Sequence, residues 1–330
     1  MLTIGIPTYN RANKLDNAIK AIYEELSSLN QKVELLISDN NSSDNTFEII
    51  NKWREKLEIN YSKNQTNLGF DSNVDLVIKK ASSNYILILS DDDILIPGAL
   101  KSYLEIIRNN QNLAIIIGKA KFMNYEMKTE IINFSDKAFS KFKEHKTYEF
   151  DNGVELFSFT EKIFCGISGV LFNREKYLKE NLDDFFNSQF IHTAAIFKML
   201  SRKSAKVFII NYPCFKYRLG DSKKAHIKNQ NEIMKVGLGL LDLLNQIKGD
   251  YPKQIWNKIY EKELNWNRSL LIGIKSREGI SKWIENSYKN LIPDDRKYKL
   301  LDFVILNFPN FVFRISYKIY RLFAFRKISY

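Results

Sequence analysis

Cysteine is nearly absent from this chain of 330 residues; Cys165 and Cys214 form neither a disulfide framework nor a metal-ligand spacing. A disulfide scaffold and a zinc module are thereby excluded, and both thiols are expected to be buried small hydrophobes in a reducing compartment. Long apolar runs are missing too. The best stretch, Phe303 to Phe313, is broken by Pro309 and falls short of the ~18 to 20 residues that span a bilayer. The N-terminal MLTIGIPTYNR lacks a charged region followed by a long apolar one, so no secretory signal is expected and the protein is placed in the cytoplasm. No internal repeat or low-complexity linker interrupts the chain. What is present is a globular composition, 45% hydrophobic and 13% aromatic, with 50 Lys and Arg against 38 Asp and Glu. The resulting +12 suits an anionic partner: a nucleotide, an acidic membrane surface or nucleic acid.

The first 120 residues alternate between strand and helix patterns. TIGIPT, VELLIS (33–38), INYSKN, YILILS and LAIIIG (113–118) read as strands. Between them, Leu15, Ala18, Ile22, Leu26 and Leu29 recur at helical spacing, as do Phe47, Ile50, Trp53 and Leu57, and Phe70, Val74, Val77 and Ala81. Ser43 or Asp44 is placed to cap the second helix, and Pro97 to open a fourth with Leu100, Leu104 and Ile107 inside. This alternation predicts βαβ units and a mostly parallel, doubly wound sheet flanked by helices. From Phe122 to Asn152 the pattern is weak. FCGISGVLFN (164–173) and KVFIIN read as further strands, with helical stretches at Glu175–Glu180 and Ser188–Arg202 between them. After about residue 228 the pattern is helical to the end, which sets a boundary near 225 between an α/β domain (1–225) and a helical C-terminal region (226–330).

In such a sheet, ligands bind beyond the carboxyl ends of the strands. The polar residues there are Thr8, Tyr9, Asn10 and Arg11, then Asp39, then Asp91, Asp92 and Asp93. Three adjacent carboxylates at the end of a buried strand repel one another and call for a cation, most simply a divalent metal carrying phosphate. The plainer alternative is a solvated acidic turn capping the Pro97 helix.

IPTYNR, LLISDNNSSDNT, NLGFDSN (67–73) and LSDDDILIPGAL together resemble the nucleotide-binding half of family-two inverting glycosyltransferases with the GT-A fold. FCGISGVLFNRE is similar to a segment of the abequosyltransferase-like subgroup of bacterial polysaccharide enzymes. The resemblance implies Mn²⁺ or Mg²⁺, a nucleotide-sugar donor (a UDP-sugar first) and a glycan acceptor, lipid-linked and met at the inner face of the cytoplasmic membrane. By its motifs, Pro7, Thr8 and Tyr9 line the base pocket, Arg11 approaches base or phosphate, Asp39 accepts a hydrogen bond from the base, and Asn67 and Gly69 lie beside the ribose. The acidic motif places its metal-binding member at Asp92, with Ser90 at the first position and Asp91 facing the ribose or the metal's surroundings. A shift of one residue would make Asp93 the ligand. Many relatives carry a Glu-Asp pair as the opening of a helix for the catalytic base. Here NSQFIHTAAIF stands instead, leaving Asp184 or Asp183 as first candidates and His192 next.

YRLGDSKKAHIK, with Arg218, Lys223, Lys224 and His226, suits a lid over a diphosphate or a plain solvated loop. Between Arg296 and Tyr330 eight Lys and Arg face one acidic residue, Asp302, among many aromatics. In FVFRISYKIYRLFAF, Arg314, Lys318 and Arg321 share a helical face, as in a helix lying on an anionic membrane; packing on the body explains the pattern equally well. Two other classes compete with glycosyl transfer. A sugar-phosphate nucleotidyltransferase would carry a Gly-rich first loop where this chain has PTYNR. A basic nucleic-acid-binding protein would not cluster carboxylates at strand ends, so no nucleic acid is expected.

Overall fold

The computed structural model describes residues 1–110, 112–131, 137–220, 230–276, 279–292 and 296–313. The chain divides into two compact units, Met1–His226 with Asp250–Ile255, and Ile227–Gly249 with Trp256–Tyr330. Lys223, Lys224, His226 and the pattern over 314–330 lie outside the described residues.

The first unit opens with β1 (Leu2–Thr8), α1 (Ala12–Ser27), β2 (Glu34–Asp39), α2 (Thr46–Arg54), β3 (Ile59–Lys63), α3 (Phe70–Lys80) and β4 (Tyr85–Ile88). It continues through β5 (Ile94–Leu95), α4 (Ala99–Asn109), β6 (Leu113–Met123), β7 (Thr147–Phe150), α5 (Gly153–Thr160), β8 (Val170–Asn173), α6 (Arg174–Tyr177), α7 (Ile191–Leu200) and β9 (Lys206–Arg218). The helical periodicities seen in the sequence become buried faces: Leu15, Ile19 and Ile22 on α1, Val74, Val77 and Ile78 on α3, Leu100 and Leu104 on α4. They cover a nine-stranded sheet of order β3-β2-β1-β4-β8-β6-β9-β5, with β7 also on β9. Its central strands are apolar almost throughout because helices cover both faces.

The sheet is mixed rather than mostly parallel. β3, β2, β1 and β4 run parallel, but β8 is antiparallel to both β4 and β6. The reason is where β8 begins: its first residue, Val170, pairs with Ile88 at the carboxyl end of β4, so the strand must run back down. Only Val170–Asn173 of the expected 164–173 strand is extended as one; the residues before it form a loop at the strand ends. The weak region contains the end of β6, a bridge between Met123 and Glu130, and β7.

The second unit contains α8 (Gln230–Ile247), most of α9 (Lys253–Lys275), α10 (Lys282–Lys289) and α11 (Arg296–Asn307). Asp302 is buried within it, taking two hydrogen bonds from Arg268 at 2.8 and 2.5 Å and one from the Tyr288 hydroxyl at 2.7 Å. A buried pair so saturated holds three helices in register, and losing one partner would cost roughly 3–5 kcal/mol. Among the described residues no helix is long and apolar enough to cross a membrane.

Candidate active site

Thr8, the last residue of β1, donates its hydroxyl to Asp91 at 2.7 Å. Arg11, one step before α1, reaches both Asp91 (2.9 Å) and Asp92 (3.0 Å), and Lys14 approaches Asp92 at 3.4 Å. Ser90 donates to the other oxygen of Asp92 at 2.7 Å. Asp93 points inward, accepting from the Ser168 hydroxyl (2.6 Å) and the Arg218 backbone N–H (2.9 Å). Burial pushes the Asp93 carboxyl up to about 7 despite those two donors. Burial also raises Asp91, against the pull of Arg11 and Thr8. Asp92 differs from both: its side chain is 18% exposed, whereas that of Asp91 is 4%.

The three carboxylates therefore separate by environment. Asp91 and Asp93 brace the strand end, and Asp92 presents oxygen to solvent where two cationic side chains already converge. Among the described residues no group of three His, Cys, Asp or Glu side chains could hold a metal alone. One accessible hard oxygen ligand fits Mg²⁺ or Mn²⁺ completed by phosphate oxygens and water, and does not fit an all-protein cage.

Asp39 ends β2 fully buried, accepting the Ser42 N–H at 2.7 Å and the Tyr61 hydroxyl at 2.8 Å. The next residue, Asn40, organises the neighbouring loop. Its amide donates to Asn67 (2.8 Å) and the Gly69 carbonyl (3.0 Å), and its oxygen accepts from Leu68 N–H (2.9 Å) and Asn64 (3.0 Å). Gly69 holds φ +85°, a conformation L side chains rarely adopt, immediately before α3. Around these polar anchors Tyr9, Phe47, Leu68 and Phe70 stay exposed, an apolar rim suited to a flat ring. Pro7 is half-buried beneath Tyr9 in sequence.

Beside Arg11 opens a hollow of about 590 Å³ lined by Asn10, Arg11, Lys14, Asp44 and Tyr125. Asp44 also accepts from Ala12 N–H and Thr46, tying the starts of α1 and α2 together. Arg218 donates to the Asp92 carbonyl at 3.1 Å and to the Tyr125 carbonyl, so it fixes the backbone of the cluster. Sequence reasoning missed Asn40, Asn64, Tyr61, Ser168, Lys14 and Tyr125. The asparagines carried a signal, since DNN and KNQTN are rich in them, but Asn64 read as the end of the INYSKN strand.

The candidate bases fall in different places. Asp71, in the first turn of α3, accepts the N–H groups of Gln189 (2.7 Å) and Ile191 (3.1 Å), fastening the start of α7 to the donor-side loop. His192 lies there, 3% exposed, its Nε2 donating to the Cys165 carbonyl at 2.9 Å. Among the described residues Nδ1 has no hydrogen-bond partner, and burial pushes the imidazole down to about 4, which favours the neutral ring. Cys165 itself is exposed, not buried as expected, because its loop lies over the strand ends; Cys214 is buried. That loop joins His192 through Cys165 to Asp93 through Ser168. Asp183 and Asp184 instead form an exposed 3-10 turn. Asp183 borders a separate hollow of about 300 Å³ with Asp75, Lys79 and Tyr177, one and two turns further along α3 than Asp71. Among the described residues no hydrogen bond or ion pair joins either to Asp91–Asp93.

Comparison with known proteins agrees with this geometry. A model of glycosyl transferase family 2 matches residues 3–164. An abequosyltransferase of Salmonella typhimurium is 34% identical over 32% of this chain and 33% of its own length. The chain thus spans about a third of that relative. A GalNAc(5)-diNAcBac-PP-undecaprenol beta-1,3-glucosyltransferase of Campylobacter jejuni is 26% identical over 76% of this chain and 74% of its own. Among solved structures, S. aureus TarS 1–349 with UDP-GlcNAc aligns at TM-score 0.63, with 14% identity over 88% of this chain and 79% of its own. The mannosyltransferase PcManGT of Pyrobaculum calidifontis with GDP-Man and Mn²⁺ aligns at TM-score 0.56, with 13% identity over 97% of this chain and 86% of its own. The architecture is that of the GT-A glycosyltransferases. Residues 3–164 thus match a glycosyl transferase family 2 domain, and the named relatives that the chain resembles are glycosyltransferases.

Proposed function

We propose that the protein transfers one sugar, with inversion and with Mn²⁺ or Mg²⁺, from a nucleoside-diphosphate donor to a lipid-linked glycan at the inner face of the cytoplasmic membrane. The observation that carries this is Asp92: one solvent-reaching carboxylate between two buried ones, facing Arg11 and Lys14. Those two cations leave a ready place for a diphosphate, and the hollow lined by Asn10, Arg11 and Lys14 has room for it. Tyr9, Phe47 and Leu68 flank the base, with Asp39 at its polar edge, while Asn67 and Gly69, held by Asn40, receive the ribose. Asp91, locked by Thr8, keeps Arg11 in reach. A UDP-sugar is the donor named first, since TarS was solved with UDP-GlcNAc. The C. jejuni relative's undecaprenol-linked substrate supports a lipid-linked acceptor and the polysaccharide setting.

When bound, the divalent ion would neutralise charge developing on the leaving diphosphate. The acceptor hydroxyl attacks the anomeric carbon from the opposite side and must lose a proton as it does. His192 is assigned that proton, at Nδ1, ahead of Asp183 and Asp184. It is the candidate joined to Asp93 by one short loop, and its neutral ring has a nitrogen free to accept. Release of nucleoside diphosphate from a panel of nucleotide sugars, with an undecaprenyl-linked glycan acceptor, tests the reading. Metal-dependent release that falls by about 10²-fold or more in Asp92→Asn is expected. Equal release after chelation of the metal would sink it.

A further inference from the structure

The chain's positive charge is concentrated at one end. Residues 227–330 contain 19 Lys and Arg against 10 Asp and Glu, +9 of the total +12. In that same stretch the inner side of α11 and its continuation is fully engaged: Asp302, Ile305 and Phe313 are at most 7% exposed. Phe303, Phe308 and Phe311 are nonetheless 58%, 42% and 61% exposed. They are surplus to the core of their unit.

Their presentation is fixed by polar contacts. Lys275, itself buried, donates to the carbonyls of Ile305 (2.5 Å) and Leu306 (2.9 Å), closing the end of α11, and its ammonium sits 5.1 Å from the Phe313 ring centroid. Gly279 lies against Asn310 so closely that a Cβ there would meet the Asn310 amide at 2.5 Å. Ser281 then caps α10. The first turn of α10, with exposed Lys282 and Trp283 (45% exposed), is thereby brought to the same end of the unit as residues 308–311. The sequence beyond 313 adds five Lys and Arg and no acidic residue.

We propose that this aromatic and basic end of the second unit docks on an anionic lipid bilayer, with Phe303, Phe308, Phe311 and Trp283 entering the headgroup region. Aromatic rings at interface depth beside an excess of Lys and Arg are what such a surface selects. Charge decides against a second copy of the chain, which would bring two +9 units together. The inference deepens the membrane-located acceptor proposed above, but lipid binding is read without donor, acceptor or turnover, so either reading can fail alone.

The test is flotation of the full chain with phosphatidylcholine vesicles containing roughly 30% phosphatidylglycerol, against vesicles of phosphatidylcholine alone. Wild type and Asp92→Asn should float equally with the anionic vesicles and be released by about 0.5 M salt. Phe303→Ser/Phe308→Ser/Phe311→Ser should lower the bound fraction roughly tenfold. Should the triple variant melt early, Phe311→Ser alone, at the most exposed of the three, should still lower it several-fold. A wild type that does not float, or variants that float as well as wild type, would overturn the proposal. So would a triple variant whose one change is a loss of self-association measured by sedimentation equilibrium.

Discussion

Asp92 and His192 illustrate how burial distinguishes side chains of similar chemistry. Asp91 and Asp93 are turned into the protein by Thr8, Ser168 and Arg218, which leaves Asp92 the most accessible of the three. The run of three aspartates was legible in the sequence, but the division of labour was not, because it depends on Ser168, 75 positions from the residue it holds. The same holds for the base. Asp183 and Asp184 looked the better acids in the sequence, and they stand in an exposed turn, Asp183 bordering the hollow with Asp75 and Lys79 of α3. His192→Gln should keep donor affinity within a few-fold and lose about 10²-fold in turnover, while Asp183→Asn and Asp184→Asn stay near wild type. Single-turnover kinetics alongside donor titration checks both. A pH effect accompanies it. The folded-state value of about 4 lies below the usual 6.5, so on acidification the unfolded chain takes up this proton first. The associated stability is intact above pH 6.5 and is lost as pH falls to about 4; in urea titrations His192→Gln should flatten that decline.

Among the elements, those read most directly were the ones with strong periodicity. β1 through β4, and α4, follow the apolar spacing, since each helix buries one face on the sheet. The short antiparallel pieces were not legible: β5 has two residues and β8 four, and what defines them is partners 53 to 122 positions away. The loop before α3 is a similar case. Its glycine was named from the resemblance as lying beside the ribose, but the residue that holds it is Asn40, through four hydrogen bonds to Asn64, Asn67, Leu68 and Gly69. Asn40→Ala should cost about 1–3 kcal/mol of stability, from buried groups left unpaired, and weaken nucleotide binding about tenfold. Urea denaturation and calorimetric titration read the two effects separately. Unchanged affinity would show that the loop does not form the ribose side of the site.

For the whole molecule, sequence established that charge and aromatic residues gather toward the C-terminus, yet left packing and membrane contact as alternatives. The second unit combines a packed side with an exposed one. Asp302, the lone acid among eight bases from 296 onward, is the partner of Arg268 inside the unit, while Phe303 beside it faces out. A period-based reading could not separate adjacent residues of one helix by role without knowing that Arg268 and Tyr288 wait on the inner side. The central claim concerns the first unit: that the strand ends form a metal-dependent site for a nucleoside diphosphate. The measurement that tests it most directly is the thermal midpoint of the full chain with UDP, GDP, CDP or dTDP, each with and without Mn²⁺, in wild type and Asp92→Asn. The account predicts that one nucleotide, UDP first, raises the midpoint by several degrees only with Mn²⁺, and that Asp92→Asn abolishes the rise. No rise with any nucleotide, or an undiminished Mn²⁺-dependent rise in Asp92→Asn, would contradict it.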